Sequence, residues 1–108
     1  MEKISKTIKY NKLFASYRAL LSSTQEEILE AYFCFDLSLS EIAENRGVSR
    51  SAIEDALTKG CLKLEELEEK LHLVENKEEI LKITAKLKEN ASNNEDIKDI
   101  EEIERRLG

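Results

Sequence analysis

The chain has 108 residues, no proline, three glycines, 37% charged side chains and a formal net charge of −6. Such a length supports one modest core, and a composition dominated by Leu, Ile, Glu and Lys favours helix over sheet because these side chains lose little rotamer freedom in a helix. No apolar run approaches the roughly 20 residues that cross a bilayer. The first twenty residues carry Lys3, Lys6, Lys9, Lys12 and Arg18 without a continuous apolar stretch, so neither membrane insertion nor a secretory signal is expected and the location implied is cytoplasmic.

A first helix is expected over about residues 5–21, with Ile4, Ile8, Phe14, Tyr17 and Leu21 on its apolar face. Lys3, Lys6, Lys9 and Lys12 recur every third residue along it as a basic stripe, either a solvated face or a contact for phosphate or an acidic partner. Residues 1–20 set five basic groups against Glu2, whereas the rest of the chain is acidic. The totals therefore show no broadly basic DNA-binding face.

Ser23-Thr24-Gln25-Glu26 has the form of a capping box, in which a hydroxyl accepts an orphan backbone N–H and a carboxylate reaches back. It opens a second helix expected to reach Phe35, with Ile28, Leu29, Tyr32 and Phe33 buried. Ser38-Leu39-Ser40-Glu41 is a second such box. It starts a third helix of about eight residues, with Leu39, Ile42 and Ala43 turned inward. Gly47 then falls where a helix end needs positive φ, Val48 is expected to be a buried turn residue, and Ser49 caps a fourth helix over about residues 50–72. Ala52, Ile53, Ala56, Leu57, Gly60, Cys61, Leu64, Leu67 and Leu71 continue at helical spacing.

The segment Leu39–Ile53 meets the separate demands of a helix-turn-helix. Ala43 is the small residue that lets two helices approach, Gly47 supplies the left-handed turn, Val48 follows it, and Ile53 is the aliphatic core residue of the second helix. Arg46, Ser49, Arg50, Ser51 and Lys59, together with Lys6, Lys9 and Lys12, are the candidate nucleic-acid contacts. The serines and arginine at the start of the second helix are positioned for phosphates or base edges, whereas Glu54 and Asp55 oppose a polyanion.

The tail, 75–108, reads as an acidic helical extension to a helix-turn-helix domain over 1–74. Asn76-Lys77-Glu78-Glu79 is its expected cap, and Ile80, Leu81, Ile83, Thr84 and Leu87 follow on one side. Asn90–Asn94 is a break. Ile97, Ile100, Ile103 and Leu107 then form a narrow stripe suited to a helix-helix seam, packing on the chain itself or in a homodimer. Cys34 and Cys61 are too far apart for a CxxC pair and are expected as reduced thiols in or near the core. The lone His72 offers no metal set, and neither a glycine-rich phosphate loop nor a nucleophile–base arrangement is present. No cofactor and no catalytic residue are therefore expected, and the chain reads as a non-enzyme.

From about Lys12 to Val74 the chain resembles the YlxM family of small bacterial proteins, itself similar to region 4 of sigma factors. The matching pieces begin with Leu13-Phe14-Ala15-Ser16-Tyr17 and Leu20-Leu21-Ser22. They continue through Gln25–Phe33, the phrase Asp36-Leu37-Ser38-Leu39-Ser40-Glu41-Ile42-Ala43-Glu44, and Gly47-Val48-Ser49-Arg50-Ser51-Ala52-Ile53. The resemblance implies an all-α, sigma region 4-like helix-turn-helix with a C-terminal helical extension. It also implies a cytosolic accessory or regulatory protein associated with the signal recognition particle pathway, acting through that particle's RNA or protein. Duplex DNA is the alternative partner, as for region 4 itself. The sequence departs from the family at Glu54 and at Lys59-Gly60, which weakens carry-over of a nucleic-acid contact there.

Overall fold

Ile53, Leu57, Gly60, Cys61 and Leu64 recur at intervals of three, four and one, the spacing that lines one face of a helix. All five are buried, and the helix that carries them is the axis of the first structural unit. The computed structural model describes residues 8–108. The elements are α1 (Ile8–Tyr17), a 3-10 turn (Arg18–Leu20), α2 (Ser23–Phe33), α3 (Leu39–Arg46), α4 (Arg50–Leu71), α5 (Leu73–Asn90) and α6 (Asn94–Arg106). No strand occurs among the described residues, so the chain is all-α. No helix is long and apolar enough to cross a membrane among those residues.

The chain divides into two compact units, the first ending at Leu71 and the second covering His72–Gly108. In the first, α1, α2 and α3 all pack against α4. Leu13, Phe14 and Tyr17 of α1, Ile28 and Leu29 of α2, and Ile42 and Ala43 of α3 close over the buried face of α4. Gly60 sets the approach of α2 to α4. A Cβ there would lie 2.7 Å from Cδ1 of Leu29, which is itself fully buried.

Each helix end has a local cause. Ser22, one residue before the expected cap, starts α2: its hydroxyl accepts from the Gln25 amide at 3.2 Å, and the Gln25 side chain accepts from the Ser22 amide at 3.3 Å. Glu26, which a box opened by Ser23 would use, is instead held by Arg18 at 2.9 Å. α2 ends at Phe33 rather than Phe35. Asp36 takes φ 54° and the Leu37 amide donates to the Ala31 carbonyl at 3.0 Å, so half-buried Leu37 covers the end while Phe35 is exposed. The second capping box forms as the spacing requires, Ser38 Oγ accepting from the Glu41 amide at 3.1 Å and the Glu41 carboxylate from the Ser38 amide at 2.8 Å.

Other expectations are corrected. Ile8 is exposed rather than on the buried face of α1, because only Leu13, Phe14 and Tyr17 of that helix reach the core. Ile4 lies outside the described residues. After Tyr17 the chain tightens into the 3-10 turn, so α1 stops short of Leu21. Cys61 is buried, but Cys34, the C-cap of α2, is exposed; both are free thiols. Ala52 and Leu71 fall outside the buried face of α4.

The second unit is an α5–α6 hairpin. α5 opens at Leu73, directly after His72 in the left-handed region (φ 54°), and not at an Asn76 cap. Asn93 caps α6 by accepting from the Asp96 amide at 2.8 Å. Thr84 and Ile100 are the buried residues of the hairpin. Thr84 Oγ1 donates to Glu104 at 2.7 Å, and Glu104 accepts from Lys88 at 2.7 Å, which holds the Glu104 carboxyl below its ordinary range. Ile83, Leu87 and Ile103, expected to be packed, are exposed.

Candidate nucleic-acid interface

The turn between α3 and α4 is built on Gly47. Its φ of 67° lies in the left-handed region that a Cβ disfavours. The Val48 amide donates to the Ala43 carbonyl at 3.0 Å, and the Gly47 amide to the Glu44 carbonyl at 3.3 Å. These two bonds are a Schellman closure, which satisfies the last carbonyls of α3. Ala43 and Ile53 are buried on either side of the turn. Val48 is not: it remains 45% exposed, because the turn uses its amide and the core beneath is already filled by Ile42, Ala43, Ile53 and Leu57.

Ser49 ends the turn and begins α4. Its Oγ accepts from the Ala52 amide at 3.1 Å and its carbonyl from the Ile53 amide at 3.3 Å. Arg50 and Ser51 form the exposed first turn of α4, and Arg50 has no carboxylate partner among the described residues. The helix end around them carries orphan backbone N–H groups and the positive pole of a 22-residue helix, both attractive to an anion.

Nearby charges are mostly engaged. Arg46, the last residue of α3, pairs with Glu27 of α2 at 3.1 Å. Lys59 pairs with Asp55 one turn back, also at 3.1 Å, so the acidic group that opposes a polyanion also neutralises a candidate contact. Half-buried Glu54 lends its carbonyl to Thr58 Oγ1 at 2.9 Å. Arg46, Ser49, Arg50 and Ser51 are thus gathered around one turn.

The amino-terminal lysines are elsewhere. Lys6 lies outside the described residues, and Lys12 is exposed on α1. Lys9 pairs with Glu65 at 3.1 Å, and Glu65 sits fifteen residues beyond Arg50, about 22 Å along the helix axis. Tyr10 donates to the same carboxylate at 2.5 Å. These bonds hold the Glu65 carboxyl below its ordinary range, the Tyr10 bond foremost, and push the Tyr10 phenol up to about 12. On the core side of α4, burial raises the Cys61 thiol to about 12. Arg18 binds Glu30 at 2.8 Å and Glu26 at 2.9 Å while lying 4.6 Å from the Phe14 ring centroid, tying the 3-10 turn to α2. These partners, Glu27 and Glu65 above all, were not singled out by sequence reasoning. Only their place on exposed or boundary helix positions hints at them.

Two helices joined by a glycine turn, the second capped by serine and opening on an exposed arginine, define a helix-turn-helix protein. Residues 4–103 match the UPF0122 family of YlxM/p13-like helix-turn-helix proteins. The UPF0122 protein of Bacillus cereus (strain AH187) is 40% identical over 94 residues, covering 87% of this chain and 86% of the relative. The UPF0122 proteins of Bacillus anthracis (strain A0248) and Bacillus thuringiensis subsp. konkukian (strain 97-27) match at the same 40% identity and the same coverage, 87% and 86%. The chain belongs to the UPF0122 family.

Proposed function

We propose that this protein is a non-enzymatic, cytoplasmic regulator that binds nucleic acid through the first turn of α4 and acts in the signal recognition particle pathway. The observation that carries the reading is Arg50: an exposed guanidinium with no carboxylate partner among the described residues, beside Ser51, at the amino end of a helix whose other face is locked into the core. Such a group forms bidentate contacts with phosphate. The pathway rests on the YlxM resemblance, which implies the particle's RNA or protein as the partner; the phosphate chemistry of Arg50 favours the RNA. Lys6, Lys9 and Lys12 are assigned an auxiliary contact: Lys9, some four turns along α4 from Arg50, would exchange its pair with Glu65 for an extended phosphate backbone.

Duplex DNA is the second reading. It is favoured by the position of Arg50, since helix-turn-helix proteins read base edges from the amino end of the second helix. The electrostatics oppose it: Arg46 and Lys59 are paired within the fold, so two of the cations nearest Arg50 are already neutralised against the duplex phosphates.

The test is a salt-titrated anisotropy measurement against signal recognition particle RNA and a duplex DNA of similar charge. RNA is expected to bind more tightly. Arg50→Ala is expected to weaken it and to flatten the dependence of log K on log salt by about 0.7–0.9 for the lost contact. An unchanged affinity and slope in Arg50→Ala overturns the assignment of this turn, and preferential duplex binding promotes the second reading.

A further inference from the structure

The α5–α6 hairpin leaves an apolar face unpartnered. One side of α5, with Thr84 and Lys88, meets Glu104 of α6, and Lys77 reaches the Gly108 carbonyl at 3.1 Å. Another stripe consists of Leu73, Ile80, Ile83 and Leu87, whose spacings of seven, three and four are those of the a and d positions of a heptad. Three of the four are open to solvent: Leu73 is 47% exposed, Ile83 56% and Leu87 48%. Ile103 of α6 is exposed as well. Leu87 and Asp99, one turn before Ile103, line the same depression between the two helices.

We propose that this face joins two copies of the chain, packed antiparallel along α5. Two observations select a second copy. First, a hairpin of two helices whose buried residues are Thr84 and Ile100 has too little core for its own stability. Pairing two such hairpins makes a four-helix bundle, which covers the second stripe. Second, the charges beside the stripe complement themselves. With Ile80 at a and Ile83 at d, the flanking g positions are Glu79 and Lys86. An antiparallel pair that sets Ile80 against the partner's Ile83 brings Glu79 beside the partner's Lys86, and two-fold symmetry repeats the contact. A parallel pair would instead bring Glu79 to the uncharged Thr84. Among the described residues Glu79 pairs with the exposed Lys82, at 3.1 Å, an i,i+3 surface pair that costs little to exchange. The interface is independent of the nucleic-acid reading, since it lies wholly in the second unit.

Sedimentation equilibrium of the full chain tests the interface. The wild type is expected at twice its 12.4 kDa mass, and Ile83→Lys and Leu87→Lys at the monomer mass, with reduced helicity from the released hairpin but an unchanged near-ultraviolet signal, since every aromatic residue lies in the first unit. Glu79→Lys is expected to weaken the dimer about tenfold by turning two attractions into repulsions. Adding Lys86→Glu is expected to restore it. A wild type that stays monomeric at about 100 µM, well above the working range of a specific dimer, overturns the proposal. So does a dimer indifferent to Ile83→Lys, or a double charge exchange that fails to rescue the single one.

Discussion

Gly47→Ala isolates the turn on which the helix-turn-helix depends. The backbone there has φ 67°, and a Cβ built on it meets nothing within 4 Å, so the substitution adds no clash. What remains is the conformational cost of an L-residue in the left-handed region, about 1–2 kcal/mol. Alanine also stiffens the unfolded chain, an effect worth about 0.4–1 kcal/mol in the opposite direction. The difference is a net loss of about 1 kcal/mol. For a domain of this size that corresponds to roughly 4–8 °C in Tm. Urea and thermal unfolding followed at 222 nm measure it. Gly47→Asn serves as the control, because asparagine tolerates positive φ better than alanine and is expected to lose less. If Gly47→Ala is as stable as the parent, or if Asn and Ala are indistinguishable, the left-handed turn is not what closes α3.

Leu57→Ala removes a fully buried side chain of α4 and is expected to cost about 2–5 kcal/mol in the same unfolding assay. A loss below about 1 kcal/mol would contradict the placement of α4 at the centre of the first unit. With a chromogenic disulfide at pH 8, the native protein is expected to release one thiol equivalent quickly, from exposed Cys34, and a second only in denaturant, because Cys61 is buried and its thiol is raised to about 12. Rapid reaction of both refutes that burial. The Tyr10–Glu65 bond makes stability depend on pH at both extremes. Glu65 is held below its ordinary value, so its contribution is complete above that value and is lost as pH falls through the lowered one. Tyr10 is raised from 10.0 to about 12, so its contribution is complete below pH 10 and is lost as pH rises toward 12. Ultraviolet titration at about 295 nm is expected to show a late-ionising tyrosine that Tyr10→Phe deletes; a parent and variant with the same late phase would exclude the bond.

The centre of the first unit was readable because its signals are local. Ser38 and Glu41 are three residues apart, Gly47 follows an eight-residue helix, and Ser49 precedes α4, so spacing alone identifies each cap. Local rules failed where two adjacent residues qualify equally, as with Ser22 and Ser23, or where a turn has no glycine, as at Asp36 and His72. Apolar periodicity runs on through Leu71 and Leu73 without a break in composition, which hid the start of α5. Val48 and Phe35 look like core residues by type, but the backbone bonds of their turns turn them outward. The least legible features were the partners of the candidate cations. Lys9 with Glu65 and Arg46 with Glu27 join positions far apart in sequence, and no motif announces such pairs. That matters for the site, because pairing is what separates Arg50 from its basic neighbours.

In the proposed function nucleic acid meets this protein at the first turn of α4. Amide chemical-shift mapping of the labelled protein during titration with signal recognition particle RNA locates the contact residue by residue. Perturbations that centre on Ser49, Arg50 and Ser51, spread to Arg46, and collapse in Arg50→Ala are the predicted result. Perturbations confined to α5 and α6, or unchanged by Arg50→Ala, would contradict it.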